Sequence, residues 1–345
     1  MLEFKSRPSV TISMISFNDE KILIDCLESI FEQDYPKEKI HVLMVDGGST
    51  DQTVKIAEKY GKNVRVIRRP DLRNRPDLRG KIALSEPKTD LVCFFSADNR
   101  FGEKNCLREM IRPFTEFNVA GSETFRYGFR KNDPILSRYF ALIGGGDPVA
   151  VELGKADRAP YDVKKWHSFG KATDVGSYYI VEFEPRINRI PTLGANGFIF
   201  RRDLLKKIGG VDNADHTGIC VKLIRNGYNK FAFAKENTII HYITIGLISF
   251  LKRRILYAKM YSATNMNREY VIFTNHDWPR LLWITITFPT LIIPIVKSLW
   301  GYSKKPDTAW FMNVLICPAF FYGYLFFFIR RILTSAATRI MTRKG

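Results

Sequence analysis

The chain has 345 residues, enough for a catalytic domain and a smaller attachment, and carries a formal net charge of +18. The basic residues come with no nucleic-acid-binding motif, and they concentrate at the end: Arg330 to Gly345 holds Arg330, Arg331, Arg339, Arg343 and Lys344 with no acid. Cys26, Cys93, Cys106, Cys220 and Cys317 lack Cys-x-x-Cys spacing, which excludes a zinc or disulfide framework and suits a reducing compartment.

Met1 to Ser9 is polar and lacks the apolar core of a signal peptide, so the first domain is expected in the cytosol. Val10 to Phe17 is β-branched and apolar and predicts a strand. Leu23, Cys26, Leu27, Ile30 and Phe31 recur at helical spacing, with Asp19 near the start and Tyr35-Pro36 as the stop. Val42 to Val45 predicts a second strand ending on Asp46, broken by Gly47 and Gly48, which bring no Cβ against a ligand. Ser49 or Thr50 then caps a helix over Thr53 to Tyr60, closed by Gly61. Val64 to Ile67 and Leu91 to Phe95 predict two more strands, the latter ending in Ser96-Ala97-Asp98-Asn99. This regular alternation predicts an α/β domain with a mostly parallel, Rossmann-like sheet and ligands at the carboxyl ends of its strands.

Beyond a helix over Glu103 to Phe114, residues 121–190 are punctuated by Gly and Pro, including Gly144-Gly145-Gly146-Asp147-Pro148. Thr192 to Phe200 returns to a strand pattern, followed by helices over Arg202 to Ile208 and Gly218 to Asn226, each ended by glycine.

The last third changes character. Leu281 to Val296 is uncharged and apolar, and Ala309 to Ile329 is a 21-residue run without a charge, close to the roughly 20 residues a helix needs to cross hydrocarbon. The pair, joined by a short polar loop, predicts a transmembrane hairpin. Trp283, Trp300, Tyr302 and Trp310 sit at its ends as an interfacial belt would. Lys252-Arg253-Arg254 and the basic tail flank it on the cytosolic side by the positive-inside rule. Leu247 to Tyr261 mixes apolar and basic residues as a surface-lying helix does. The expected layout is a catalytic domain over 1–245, an interfacial segment over 246–280, two transmembrane helices over 281–330 and a basic cytosolic tail over 331–345. That makes a multi-pass cell-membrane protein.

Five segments in order carry a family resemblance: Ser16-Phe17-Asn18-Asp19, Val45-Asp46-Gly47-Gly48-Ser49-Thr50-Asp51, Ser96-Ala97-Asp98, Gly194-Ala195-Asn196-Gly197-Phe198 and the Asp215 region. Together they resemble the inverting family 2 glycosyltransferases of GT-A fold over residues 8–245. The C-terminal layout is similar to that of the polyprenyl-phosphate sugar synthases. The resemblance implies a UDP- or GDP-linked sugar donor, a lipid-linked acceptor, a Mg²⁺ or Mn²⁺ ion, and no nucleic acid. It places Phe17, Asn18 and Asp19 beside the base, with Asp19 where the family usually has Glu. Asp46 matches the carboxylate on the base edge, with Gly48 beside it, while Gly47 stands where a second Asp is common. Gly80 and Lys81 fall under the diphosphate.

The Asp-x-Asp element that holds the cation is reduced to Asp98, its first position being Ser96. One carboxylate suffices where the ion keeps waters and takes phosphate oxygens. Asn196 falls near the transferred sugar and His241 near the diphosphate or metal. The base position, counted back from Gly227, falls on His216 with Asp215 beside it; by chemistry Asp215 is the better base, while an imidazole also accepts a proton near neutral pH. Two other classes compete. One is a non-catalytic nucleotide-binding membrane scaffold, prompted by Ser96 and Gly47. The other is a processive polysaccharide synthase, whose Gln-x-x-Arg-Trp motif is missing.

Overall fold

The structure is a computed structural model and describes residues 7–166, 168–186, 190–211, 216–243, 245–263 and 274–342. Its strands are β1 (Val10–Ser16), β2 (Ile40–Asp46), β3 (Val64–Arg68), β4 (Leu91–Ser96), β5 (Asn99–Phe101), β6 (Gly121–Gly128), β7 (Lys171–Asp174), β8 (Tyr178–Glu182), β9 (Phe198–Arg201) and β10 (Lys230–His241). The catalytic-half helices are α1 (Glu20–Phe31), α2 (Thr53–Glu58), α3 (Pro76–Ser85), α4 (Cys106–Glu116), α5 (Ile135–Ile143), α6 (Pro148–Glu152), α7 (Arg202–Lys207) and α8 (His216–Arg225).

Strands apolar on both sides require cover on both sides. β2 sends Val42 and Met44 into one core and Leu43 and Val45 into the other, none more than 3% exposed. The first core closes with Leu23, Leu27 and Ile30 of α1, the second with Leu84 of α3, Leu204 of α7 and Leu223 of α8. The strand order β3-β2-β1-β4-β9-β6-β10-β8-β7 reverses direction of travel at β1, so a crevice opens at the carboxyl ends of β1 and β4.

The sheet is mixed, not mostly parallel. Among the described residues, β1–β2, β2–β3, β1–β4 and β6–β10 pair parallel. The pairs β4–β9, β6–β9, β5–β10, β8–β10 and β7–β8 are antiparallel. The three regular βα repeats end at β4. β9 then inserts between β4 and β6, and local alternation carries no information about direction. The strand expected over Thr192 to Phe200 is shorter, because Asn196 (φ +50°) and Gly197 (φ +91°) turn the chain just before Phe198.

The C-terminal helices are α9 (Leu247–Ala263), α10 (Trp278–Thr287), α11 (Ile292–Lys304) and α12 (Asn313–Thr342). The first expected span is not straight: α10 and α11 meet at 100°. Pro289 has no N–H to continue the ladder and Leu291 takes φ +61°, so the apolar run breaks in its middle. Among the described residues one helical segment, Thr308–Phe327, is long and apolar enough to cross a membrane, and a two-span hairpin is not established. Nor does this unit stand apart. Ile284, Phe288, Trp310, Ile316 and Phe320 are buried in the same core as β1 and α1.

Polar contacts fix the unit to the α5–α6 region. Arg138 Nη1 donates to both carboxylate oxygens of Asp307 at 2.8 and 2.9 Å, Lys155 pairs with Asp277 at 2.8 Å, and the Tyr139 hydroxyl donates to Asn313 at 2.9 Å. Asp147 caps α6 by accepting the Val149 and Ala150 N–H groups with one oxygen and accepts the Tyr324 hydroxyl of α12 with the other. Removing one partner of a largely buried pair strands the other charge. Arg138→Ala is therefore expected to cost about 3 kcal/mol and to open the 305–312 turn to limited proteolysis, while Arg138→Lys retains part of the protection.

Candidate active site

The site begins with strand register. Ser16 lies beside Asp46 across β1–β2, and Ile15 beside Ser96 across β1–β4, so the loops after these strands open on one edge. In the first, Asn18 adopts φ +57°, which Asn tolerates, and its side-chain oxygen accepts the Thr50 N–H at 2.9 Å. Asp19 accepts the Ser16 hydroxyl at 2.7 Å and the Phe17 N–H at 3.0 Å. Burial raises its carboxyl above the ordinary range against those two bonds, and Asp98 and Asp51 add to the rise.

Asp46 is fully buried and accepts the Gly48 N–H at 2.9 Å, the Ser49 N–H at 3.1 Å and the Ser49 hydroxyl. It shapes the turn it begins. Gly48, at φ +86°, lies against Pro70. At Gly47 an added Cβ would stand 2.4 Å from Nη1 of Arg79. This arginine of α3 is 5% exposed, donates to the Ser16 carbonyl at 2.6 Å and leaves a buried Nε without a partner. Burial lowers its guanidinium, opposed by Asp46 and Asp19. Sequence reasoning missed Arg79. Its signal was the missing side chain at position 47, which makes room for it. Lys81 is exposed, two residues and about 200° further round the same helix. Phe17 stacks under the Arg73 guanidinium at 4.6 Å.

The other wall is built on Asp98 and Asn99. β10 ends against β5 with His241 opposite Asn99, and a bulge between Ala234 and Thr238 sets that register. His241 Nδ1 donates to the Asn99 side-chain oxygen at 2.7 Å and lies 3.5 Å from Asp98 Oδ1. Donation from Nδ1, the ring nitrogen beside Asp98, leaves the lone pair on Nε2. Asp98 Oδ1 is buried without a hydrogen-bond partner. Asn99 Nδ2 donates to Asn196 at 3.3 Å, and Asn196 Nδ2 donates to the Tyr127 hydroxyl at 2.8 Å. Asp98, His241 and Asn196 thus meet in one network.

Among the described residues no group of three or more His, Cys, Asp or Glu could hold a metal ion unaided. The donors present fit an ion that keeps water and substrate oxygens: one unsatisfied carboxylate oxygen and one imidazole beside it. His216 opens α8, and its Nδ1 donates to the Leu193 carbonyl at 2.8 Å, which leaves Nε2 able to accept a proton. It packs against Gly194, where a Cβ would meet the His216 carbonyl at 2.7 Å. Asp215 lies outside the described residues.

A sequence model described as glycosyl transferase family 2 matches residues 11–209, more than half of the chain and every strand of the crevice except β10. The chain belongs to that family. Its fold is also similar to the mannosyltransferase PcManGT of Pyrobaculum calidifontis, solved with GDP-Man and Mn²⁺: TM-score 0.53, 16% identity, 93% of this chain and 88% of that one. Curated relatives match over shorter stretches. The poly(ribitol-phosphate) beta-N-acetylglucosaminyltransferase TarS of Staphylococcus aureus is 34% identical over 86 residues, 24% of this chain and 15% of the relative. A dolichyl N-acetyl-alpha-D-glucosaminyl phosphate 3-beta-D-2,3-diacetamido-2,3-dideoxy-beta-D-glucuronosyltransferase of Methanococcus voltae is 43% identical over 53 residues, 15% and 16% of the two chains. The probable glycosyltransferase YdaM of Bacillus subtilis is 21% identical over 239 residues, 65% and 49%. The matched region thus spans 15% to 49% of these relatives' length.

The family 2 crevice of this chain therefore has an arginine where a carboxylate is common. Gly47→Ala should lower stability by about 1–3 kcal/mol by displacing the Arg79 guanidinium. Thermal unfolding of Gly47→Ala, Arg79→Met and the double variant checks this, since the alanine should cost little once Arg79 is shortened.

Proposed function

We propose that this chain transfers a sugar, with inversion, from a UDP- or GDP-linked donor to a lipid-linked acceptor at a membrane surface. In this reading residues 1–245 form the catalytic domain, 246–280 lie at the interface, 281–330 enter the bilayer and 331–345 return as a basic cytosolic tail. The observation that carries the reading is the unsatisfied Asp98 oxygen beside His241, set at the carboxyl ends of β1 and β4. Asp98 and His241 would hold a Mg²⁺ or Mn²⁺ ion there, which would supply positive charge against the diphosphate. Phe17, Asn18, Asp19 and Asp46 shape the base pocket, Gly48 lets the ligand approach, and Arg79 with Lys81 supplies positive charge beneath the phosphates. Asn196 positions the sugar through its bonds to Asn99 and Tyr127. The acceptor attacks the anomeric carbon in line with the departing nucleoside diphosphate, and Asp215 or His216 Nε2 takes its proton.

Support for the membrane comes from the apolar Thr308–Phe327 segment and from side chains such as Trp278, Leu282, Ile292, Leu299 and Phe326, each more than half exposed. Support for a lipid-linked acceptor comes from the dolichyl-phosphate relative, alongside the short match it rests on. Arg79 filling the space at Gly47 argues against a decayed, non-catalytic site, because the lost carboxylate is replaced by a buried cation suited to a diphosphate.

Asp98→Asn should cut Mn²⁺-dependent turnover of the donor by about 10² or more, measured as nucleoside diphosphate release. If the wild-type protein releases none from any common UDP- or GDP-sugar, the scaffold reading takes its place. Asp215→Asn reads out the acceptor. A loss of about 10²- to 10⁴-fold is expected for a sugar hydroxyl, which needs a base, and a small loss for a lipid phosphate, which is already ionised.

A further inference from the structure

The C-terminal helices have two unlike faces. Inward, α10 buries Ile284 and Thr287, α11 buries Ser298 and Gly301, and α12 buries Ile316 and Phe320. Gly301 is required there, since a Cβ would stand 2.4 Å from the Trp310 indole. Outward, Leu282 and Ile286 of α10, Ile292 and Leu299 of α11, and Leu315 and Phe326 of α12 are exposed. The exposed rings of Tyr302 and Phe311 meet with centroids 5.9 Å apart, so the outer face continues from α11 into the turn before α12. Exposed hydroxyls on this surface are answered from within. Thr285 donates to the Leu281 carbonyl at 2.8 Å, Thr290 to Thr287 at 2.9 Å and Ser303 to Trp300 at 2.7 Å. Water would satisfy these groups without such bonds, whereas hydrocarbon would not.

Reach decides how this surface meets a bilayer. The inner face is tied to residues 139–155 from every helix. Asp277 pairs with Lys155 and Arg280 donates to the Leu153 carbonyl, both at 2.8 Å. Lys297 pairs with Glu152, Tyr139 donates to Asn313 and Tyr324 donates to Asp147. α10 has 10 residues and α11 has 13, so at about 1.5 Å per residue neither approaches the roughly 30 Å of a hydrocarbon core. Their 100° angle keeps the two lengths from adding. α12 is held against the catalytic half as far as Tyr324, and Arg330 follows after five residues, about 8 Å of helix. The apolar length of a span is present, but it is not free to cross.

We propose that α10, α11 and α12 form a monotopic dock that lies in one leaflet of an anionic bilayer, with no segment crossing it. The catalytic half, the turn before α12 and the C-terminus then share one side of the membrane. This deepens the membrane part of the reading above and is independent of the transfer chemistry.

Charge selects the occupant. Residues 246–345 carry fourteen Lys and Arg against three acids, and two of those acids, Asp277 and Asp307, are already paired with Lys155 and Arg138. Lys304 lies over the exposed Trp300 ring at 3.9 Å, an interfacial pair with its ammonium free to turn toward headgroups. Exposed Lys252 and Arg253 of α9 flank α12, where Phe250 packs on Phe320 with centroids 6.1 Å apart. A second copy of the chain would set like charge against like. Anionic headgroups answer it.

The full-length protein should float with vesicles of phosphatidylcholine and phosphatidylglycerol about tenfold better than with phosphatidylcholine alone. Ile292→Glu and Leu299→Glu, both at exposed sites, should lower that flotation about tenfold or more while thermal unfolding stays unchanged. Topology is read with a membrane-impermeant maleimide on right-side-out and inverted membrane vesicles from cells expressing the full chain. The native cysteines are all buried, so background labelling is low. Lys131→Cys marks the catalytic half, Pro306→Cys the turn before α12 and Gly345→Cys the end of the chain, and all should label from the same side. Labelling of Pro306→Cys or Gly345→Cys from the side opposite Lys131→Cys means a span and overturns the dock. Equal flotation with the two vesicle types, no flotation with either, or a soluble dimer that Ile292→Glu disperses overturns it as well. None of these readouts uses turnover, so nucleoside diphosphate release judges the glycosyltransferase reading separately.

Discussion

The bond from the Tyr242 N–H to the Asp98 carbonyl, 2.7 Å long, fastens the end of β10 to the turn after β4. It extends the β5–β10 pairing that brings together Asn99 and His241, residues 142 apart in sequence. Once they do, the chain of side chains through Asn196 and Tyr127 has both ends fixed, and each polar group orients the next. The bulge in β10 serves the same end. It breaks the register with β6 just before Thr238, whose N–H and hydroxyl are taken up by Glu103. The crevice is therefore closed by local irregularity in an otherwise regular sheet.

The regular part was legible in the sequence. β1, β2, β4 and α1 carry apolar residues at their own periods, and nothing distant alters them. The ordered motifs also located Asp98, Asn196 and His241, which the structure draws together. What stayed hidden depends on partners far along the chain. α3 buries Arg79 and Gly80 and has no apolar stripe, so no periodicity announces it. β6 reads Gly-Ser-Glu-Thr-Phe-Arg-Tyr-Gly, polar enough for a loop, yet it is buried because Arg158 returns to neutralise Glu123. The direction of β9 belongs to tertiary packing, and the bend at Pro289 and Leu291 to backbone geometry, neither of which a count of apolar residues registers.

The two departures from the family pattern behave differently. At Gly47 the space a side chain would take is filled by the Arg79 guanidinium, which donates to the Ser16 carbonyl. At Ser96 no acid takes its place on the strand. The second carboxylate near Asp98 is instead Asp19, whose carboxyl is pushed up mainly by burial, with Asp98 adding to the rise. One carboxylate and an imidazole would hold a cation loosely by themselves, and in the proposed reading a diphosphate would complete its shell.

Asp147 serves two masters at once, the first turn of α6 and the hydroxyl of Tyr324 on α12. Leu136, Tyr139, Phe140 and Leu142 of the neighbouring α5 are sealed in a core that the C-terminal helices share. Severing those helices would bare that seam rather than liberate a freestanding enzyme. The C-terminal helices and the catalytic half are thus one packed unit, joined through the α5 core and through Asp147.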